Sequence, residues 1–176
     1  SANISEQISL AGKEASGTGC MKLMMNGALT IGTLDGANVE MLDAVGKENM
    51  FIFGLTSSEV EELWLRGYRS ADYYANNERL GRILSALSVG FGGESFSDIA
   101  GYLLNGHGVA DPYMCLADFE SYRMTHQSAV TQYRNRTAWT RMSLLNTAHS
   151  GFFAADRSIR EDADRIWKLK LSLIHI

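Results

Sequence analysis

The first sixty residues alternate between extended and helical patterns of apolar positions. Short apolar runs over residues 29–34 and 50–53 predict two buried strands, and an Asp35–Gly36 turn closes the first of them. Between these strands, residues 38–45 are predicted to form a short helix that Gly46 stops. Strands that alternate with helices imply parallel βαβ units, so the predicted fold class is α/β.

An amphipathic helix is predicted immediately before the first strand. Its apolar positions follow the i, i+3, i+4, i+7 spacing of one buried helix face: Met21, Met24, Met25 and Ala28. Ser16 and Thr18 are good N-cap residues, while Gly17 and Gly19 let the backbone approach a ligand closely because they lack a Cβ. Residues 14–19 are therefore predicted to be a loop that opens this helix.

The rest of the chain is predicted to be largely helical. One helix begins at Ser57, and helical periodicity continues from about residue 70, with breaks at residues 90–93 and at Pro112. The later helices are predicted over residues 80–87, 119–133, 139–148 and 158–169. No linker, repeat or low-complexity segment divides the chain, so residues 1–170 are treated as one domain.

The amino-acid composition argues against several classes of function. The 176 residues are 45% hydrophobic and 20% charged, with a net charge of −4, as in ordinary soluble globular proteins. The acidic balance and the lack of a basic block argue against nucleic acid, and no apolar run approaches the ~20 residues that span a bilayer. Cys20 and Cys115 have no paired spacing, and the four histidines have no ligand spacing, which predicts no metal site and a reducing, cytoplasmic location.

The loop before the first predicted helix has the chemistry of an anion site. Unpaired amides and the positive dipole end of a helix favour phosphate. Thr18 and Lys22 are four residues apart, so they face the same side of the predicted helix, of which one turn rises ~5.4 Å. This spacing suits pyridoxal phosphate, whose phosphate and aldehyde arms are neighbours on the ring. On spacing alone, an ordinary strand-to-helix connection with a solvated lysine is the more frequent outcome.

A longer match separates these alternatives. The run from Glu14 to Asn26, EASGTGCMKLMMN, resembles the pyridoxal-phosphate attachment segment of the α-glucan phosphorylases. Similar landmarks follow at residues 26–41, 48–54, 117–120, 139–142 and 150–157, and the resemblance covers roughly residues 3 to 170. Cys20 departs from the family pattern, which more often has asparagine there. A small buried hydrophobe is the expected role for this cysteine.

The resemblance implies a role for each matching residue. Lys22 would hold pyridoxal 5'-phosphate covalently, and the Thr18 hydroxyl with the amides of Thr18 and Gly19 would bind its phosphate. The substrate glucose would be bound by three neighbours: the Glu14 carboxylate and the backbone amides of Ser16 and Gly17. The implied reaction is phosphorolysis of α-1,4-glucans, such as glycogen or maltodextrin, by inorganic phosphate. It yields α-D-glucose 1-phosphate with retention, and the cofactor phosphate serves as the proton shuttle.

The resemblance also implies a larger architecture. Phosphorylases are several times longer than this chain, so residues 1–170 are expected to be the incomplete C-terminal Rossmann-like domain of a two-domain glycosyltransferase fold of the B type. An N-terminal domain would supply the other wall of the cleft, and the whole enzyme would be a homodimer. Residues 171–176 (LSLIHI) match the translation of a sequencing adapter and are expected to be non-native.

Two other hypotheses stay open at this stage. The first is a different pyridoxal-phosphate enzyme, one that acts on amino acids. The second is a non-catalytic remnant or regulatory module. A sugar-nucleotide-dependent synthase is less favoured, because the residue eight positions after Glu14 is Lys22 rather than the second acid of retaining glycosyltransferases.

Overall fold

A small parallel sheet organises the molecule, which a computed structural model describes for residues 2–105 and 108–169. Three strands lie in the order β1 (Ile4–Gln7), β2 (Leu29–Gly32) and β3 (Phe51–Ile52). Both pairings are parallel, with Ile4 opposite Leu29 in the first pair and Ile31 opposite Phe51 in the second. The predicted α/β class with parallel strands is confirmed.

Helices make up most of the remaining described chain. They are α1 (Gly19–Met25), α2 (Asn38–Val45), α3 (Ser57–Leu65), α4 (Ser70–Ala75), α5 (Glu78–Val89), α6 (Ser97–Leu104), α7 (Cys115–Arg134), α8 (Arg136–His149) and α9 (Ala155–Asp162), which a π-helical turn continues over Ala163–Trp167. No helix in the described parts of the chain is long and apolar enough to cross a membrane. The predicted tail, residues 171–176, lies outside the described residues.

Sequence pattern located most helices but not all of their ends. The predicted bounds of α2 and its stop at Gly46, which has φ 81°, are confirmed. Helix α7 begins at Cys115, four residues before the predicted start at residue 119. Helix α8 begins three residues earlier than predicted because the Asn135 side chain caps it, accepting from the Ala138 amide at 3.1 Å.

The predicted buried face of α1 is wrong in part. Helix α1 ends at Met25, whose side chain is 50% exposed, so Ala28 lies beyond the helix. The buried positions are Cys20 and Met24, which pack against Met41 of α2. The helix stops early because Gly27, at φ 79°, turns the backbone into β2, while Met21 is partly buried against the same cluster.

Helices α7 and α8 cover the apolar side chains of the sheet. Leu29 packs with Trp139 and Met142 of α8, while Ile31 packs with Ala129 of α7. Strand β2 lies at the centre of the sheet, where it pairs in parallel with β1 and β3. The carboxyl ends of β1 and β2 therefore open onto neighbouring loops at one edge, which is where ligands bind in parallel α/β sheets.

Candidate active site

Two connections meet at the carboxyl edge of the sheet. One runs from β1 to α1 through residues 8–18, and the other runs from β2 to α2 through residues 33–37. The Thr33 hydroxyl donates to the carbonyl of Ser9 at 2.6 Å, which joins the two connections at their bases. The predicted loop of residues 14–19 lies within the first connection.

Asp35 anchors this loop from the second connection. Its Oδ1 accepts from the Gly12 amide and its Oδ2 from the Glu14 amide, each at 2.8 Å. Burial by itself raises the pKa of Asp35, but the hydrogen bonds from Glu14, Gly12 and Ser9 outweigh it and hold the pKa below its usual value. A buried, ionised carboxylate therefore fixes two amides of the loop.

A second contact joins the connections next to Asp35. The Ala37 amide donates to the carbonyl of Ser16 at 2.8 Å. Gly36 has φ 51°, and a Cβ at this position would overlap the Ser16 carbonyl oxygen. Only glycine allows both this backbone conformation and this approach. The Asp35–Gly36 turn thus holds the loop at Gly12, Glu14 and Ser16.

The loop and the turn enclose a cleft of about 200 Å³. Its walls include Glu14, Ser16, Gly17, Cys20, Asp35 and Asn38. The three residues predicted to bind substrate therefore lie together around one cavity. Thr18, Gly19 and Lys22, predicted to bind the cofactor, are not among the residues that line it.

Asn38 leaves an acceptor without a partner beside this cleft. Its Nδ2 donates to the Thr33 carbonyl at 3.0 Å, while its Oδ1 is buried and has no hydrogen-bond partner among the described residues. A buried polar atom without a partner is uncommon, since the desolvation cost is not offset. The cleft is thus a polar site with an acceptor still available.

Thr18 and Lys22 lie on the helix that follows the loop. Thr18 occupies the N-cap position, but its side chain makes no capping hydrogen bond, so the hydroxyl is available to a ligand; Ser16 does not cap the helix. The Lys22 amide donates to the Thr18 carbonyl at 3.2 Å, which puts both residues on the same side of α1.

The surroundings of these residues fit a phosphorylated aldehyde cofactor. A Cβ added at Gly19 would have no neighbour within 4 Å, so the space above the helix start is open. Lys22 is exposed and forms no ion pair with any residue that the structure describes. An accessible amine, a hydroxyl and open backbone amides one helical turn away can hold such a group.

Cys20 has the role expected for it. The side chain is buried, and its Sγ is 3.9 Å from the Gly17 carbonyl oxygen. Burial raises the pKa of the thiol, so it stays protonated. The cysteine therefore packs between the loop and α2 as a small apolar group.

Sequence reasoning missed Asp35 and Asn38 as site residues. The Asp-Gly pair was interpreted only as a turn that ends the strand. The available signal was its place after a strand in a predicted parallel sheet, because that end of the strand faces the next loop. Among residues 2–105 and 108–169, no cluster of His, Cys, Asp or Glu side chains is arranged to hold a metal ion.

Sequence comparisons with known proteins find relatives over nearly the whole chain. A family model described as carbohydrate phosphorylase matches residues 1–169. The glycogen phosphorylase of Synechocystis sp. is 46% identical over 175 residues, which are 99% of this chain and 21% of the relative. That of Haemophilus influenzae is 47% identical over 169 residues, 96% of this chain and 21% of the relative. The human muscle form is 45% identical over 175 residues, 97% of this chain and 20% of the relative. The chain spans about a fifth of the length of these curated relatives.

Proposed function

Because the chain belongs to the carbohydrate phosphorylase family, we propose that it is the C-terminal catalytic part of an α-1,4-glucan phosphorylase. The proposed substrates are glycogen or maltodextrin and inorganic phosphate, and the product is α-D-glucose 1-phosphate. Relatives named glycogen phosphorylase support this reaction class. The observation that carries the proposal is the cleft, because Glu14, Ser16 and Gly17 line it together. These residues come just before α1, the helix that contains Lys22.

The cofactor in this proposal is pyridoxal 5'-phosphate. Lys22 would bind it covalently, and the Thr18 hydroxyl with the Thr18 and Gly19 amides would receive its phosphate. When bound, the group supplies a phosphate with a second pKa near 6, which suits proton exchange with inorganic phosphate close to neutral pH. The uncapped Thr18 side chain and the open space above Gly19 support this assignment.

The chain's own residues orient the sugar. The Glu14 carboxylate would accept hydrogen bonds from a glucose hydroxyl, and the Ser16 and Gly17 amides would donate to its neighbours. Such fixed contacts hold the scissile bond in place and contribute to catalysis through positioning. Gly17 is at φ 79°, a conformation that glycine adopts without strain and that L residues rarely adopt.

Larger features of the enzyme are part of the same proposal. Residues 1–170 would form the C-terminal Rossmann-like domain of a B-type glycosyltransferase fold, facing an N-terminal domain across a cleft. The parallel sheet and the share of the relatives that this chain covers support this arrangement. We also propose a homodimer and a cytoplasmic location for the whole protein.

The direct test uses the full-length protein that contains this chain, loaded with pyridoxal phosphate. With maltodextrin and inorganic phosphate it is expected to release α-D-glucose 1-phosphate. The variant Lys22→Ala is expected to lose both the covalent cofactor and the activity, while Lys13→Ala, at an exposed lysine before the loop, retains both. Glucose 1-phosphate production by Lys22→Ala without a bound cofactor would contradict the proposal.

The role of the cofactor phosphate has its own test. If that phosphate moves the proton, reduction of the lysine linkage with borohydride leaves substantial activity. Replacement of the cofactor by pyridoxal, which lacks the phosphate, is expected to abolish activity, and a small phosphate-like anion restores part of it. Complete inactivation by reduction, with the protein still folded, would contradict the phosphate role.

The two other hypotheses give different results in the same assays. A pyridoxal-phosphate enzyme that acts on amino acids would transfer an amino group and release no glucose 1-phosphate. A non-catalytic remnant would release neither product in any longer form of the protein. No observation on the described residues favours either of them over the phosphorylase.

A further inference from the structure

We propose that Asp35 is a positioning residue that sets the shape of the substrate-binding loop. The inference rests on the proposed function, because it assigns to Asp35 the placement of Glu14, Ser16 and Gly17 around glucose. Asp35 would not touch the reacting atoms. It would act through the backbone of the loop. Among the described residues, Asp35 alone has a side chain that accepts hydrogen bonds from the backbone amides of both Gly12 and Glu14.

The two oxygens of Asp35 fix an orientation as well as a position. Each oxygen accepts from a different amide, and the amides belong to residues two apart, so the segment between them cannot rotate freely. The side chain is only 6% exposed, so water competes little for these amides. Glu14 itself is exposed and has no other hydrogen bond to hold its backbone among the described residues.

The same turn holds the far side of the substrate loop. The Ala37 amide donates a hydrogen bond to the Ser16 carbonyl. Gly36 lies against the same carbonyl, which is possible because glycine has no Cβ. The anchored points, Gly12, Glu14 and Ser16, include two of the three proposed substrate residues and end one residue before the third, Gly17. No hydrogen bond in the described parts of the chain joins Asp35 to Thr18 or Lys22. The geometry therefore predicts that Asp35 governs substrate binding and leaves cofactor attachment unchanged.

A second buried aspartate provides a matched control. Asp111 is fully buried and accepts from the amides of Cys115 and Leu116 at 2.9 and 2.8 Å, and from the Tyr68 hydroxyl at 2.8 Å. Its hydrogen bonds resemble those of Asp35, but the donors are Tyr68 and the first residues of α7 rather than residues 12–16 of the loop. Its replacement by asparagine is expected to destabilise the fold without breaking a hydrogen bond of the loop.

The experiment compares Asp35→Asn with Asp111→Asn in the full-length protein. An asparagine offers one acceptor and directs its amide group toward a backbone N–H, so one loop contact is lost. The loss of a charged hydrogen bond predicts a fall in kcat/KM for phosphorolysis of about tenfold to hundredfold. The absorbance of the lysine-bound cofactor is expected to stay at the wild-type level. For Asp111→Asn the expected change is a lower Tm, with kcat/KM within about twofold of wild type at temperatures below unfolding.

A double-mutant cycle with Glu14→Ala separates positioning from general stability. If Asp35 acts by placing Glu14, Asp35→Asn has a much smaller effect on kcat/KM once the Glu14 side chain is removed. Additive effects on kcat/KM, or equal losses of cofactor and substrate binding, would overturn the inference. A fall in kcat/KM of the same size for Asp111→Asn would overturn it too.

Two further measurements keep the test decisive. If Asp35→Asn does not fold, Gly36→Ala takes its place, since its methyl group displaces the Ser16 carbonyl while Asp35 remains; failure of both to fold would overturn the positioning role.

If the wild-type protein releases no glucose 1-phosphate, the proposed function fails by itself. The loop geometry is then read from amide hydrogen exchange of the peptide covering residues 10–17. Faster exchange in Asp35→Asn than in Asp111→Asn supports the positioning role, and equal exchange contradicts it.

Discussion

At the residue scale, two buried carboxylates differ in their hydrogen-bond partners. Asp111 and Asp118 lie close together near the start of α7, and both are buried. Among the described residues, Asp111 has three donors, whereas Asp118 accepts only from the Leu55 amide, at 2.8 Å. Burial raises the pKa of Asp118, and the nearby charges of Asp111 and Glu59 add to this effect. The fold therefore disfavours the charged form of Asp118.

This difference predicts that Asp118→Asn stabilises the chain in a pH-dependent way. An acid whose pKa is raised in the folded state lowers the free energy of unfolding once the pH rises above the pKa of the unfolded state, which is about 4. The neutral asparagine retains an acceptor for Leu55 and avoids that cost. Thermal unfolding of wild type and variant is expected to coincide near pH 4 and to diverge toward pH 7, with the variant more stable. Glu61→Gln, at an exposed position of α3, is the control and is expected to show no such divergence.

At the element scale, the local sequence explains where α3 begins. Thr56 and Glu59 form a reciprocal capping box, in which the Glu59 carboxylate accepts from the Thr56 amide at 2.8 Å and the Thr56 hydroxyl accepts from the Glu59 amide. This pattern of threonine followed three residues later by glutamate is readable from the sequence. It satisfies amides at the start of α3 that would otherwise lack partners.

Thr56→Ala is expected to lower the free energy of unfolding by about 0.5–2 kcal/mol, because it removes the cap of α3. Thr140→Ala is the matched control, since Thr140 is exposed within α8 and makes no hydrogen bond that the structure describes. Its effect is expected within about 0.5 kcal/mol of zero. Denaturant unfolding of both variants measures the difference, and equal effects would contradict the capping role.

Strand β1 was not predicted, and the buried face of α1 was predicted only in part. Strand β1, Ile-Ser-Glu-Gln, has one apolar residue in four and no strand pattern of its own. It is a strand because β2 pairs with it along its length, which is a tertiary effect. The buried face of α1 was misplaced for a similar reason: packing against Met41 selects Cys20 and Met24, and periodicity alone did not reveal the early stop.

At the scale of the whole molecule, the sequence alone led to a hypothesis for the chemistry of the site, but it did not predict the hydrogen bonds from the loop to Asp35. The thirteen-residue run predicts Lys22 and the loop as site residues because those residues are contiguous in the sequence. Asp35 lies 21 residues after Glu14, and only the parallel pairing of β1 with β2 brings the two together. Long-range contacts of this kind follow from topology, which a single sequence does not specify.

The chain by itself is expected to have no phosphorylase activity. It spans about a fifth of its relatives' length. In residues 2–105 and 108–169, no arginine or lysine is among the residues that line the cleft beside its loop. Release of glucose 1-phosphate by the purified 176-residue chain, supplied with cofactor, maltodextrin and phosphate, would contradict this prediction.

The central claim is that Lys22 carries the cofactor, and peptide mapping tests it most directly. Borohydride treatment of the full-length protein makes the bond between cofactor and lysine permanent, and tandem mass spectrometry of its peptides then locates the modified residue. The account predicts the phosphopyridoxyl group on Lys22, with Lys13 and Lys47 unmodified. The group on another lysine, or on none in a protein that releases glucose 1-phosphate, would contradict it.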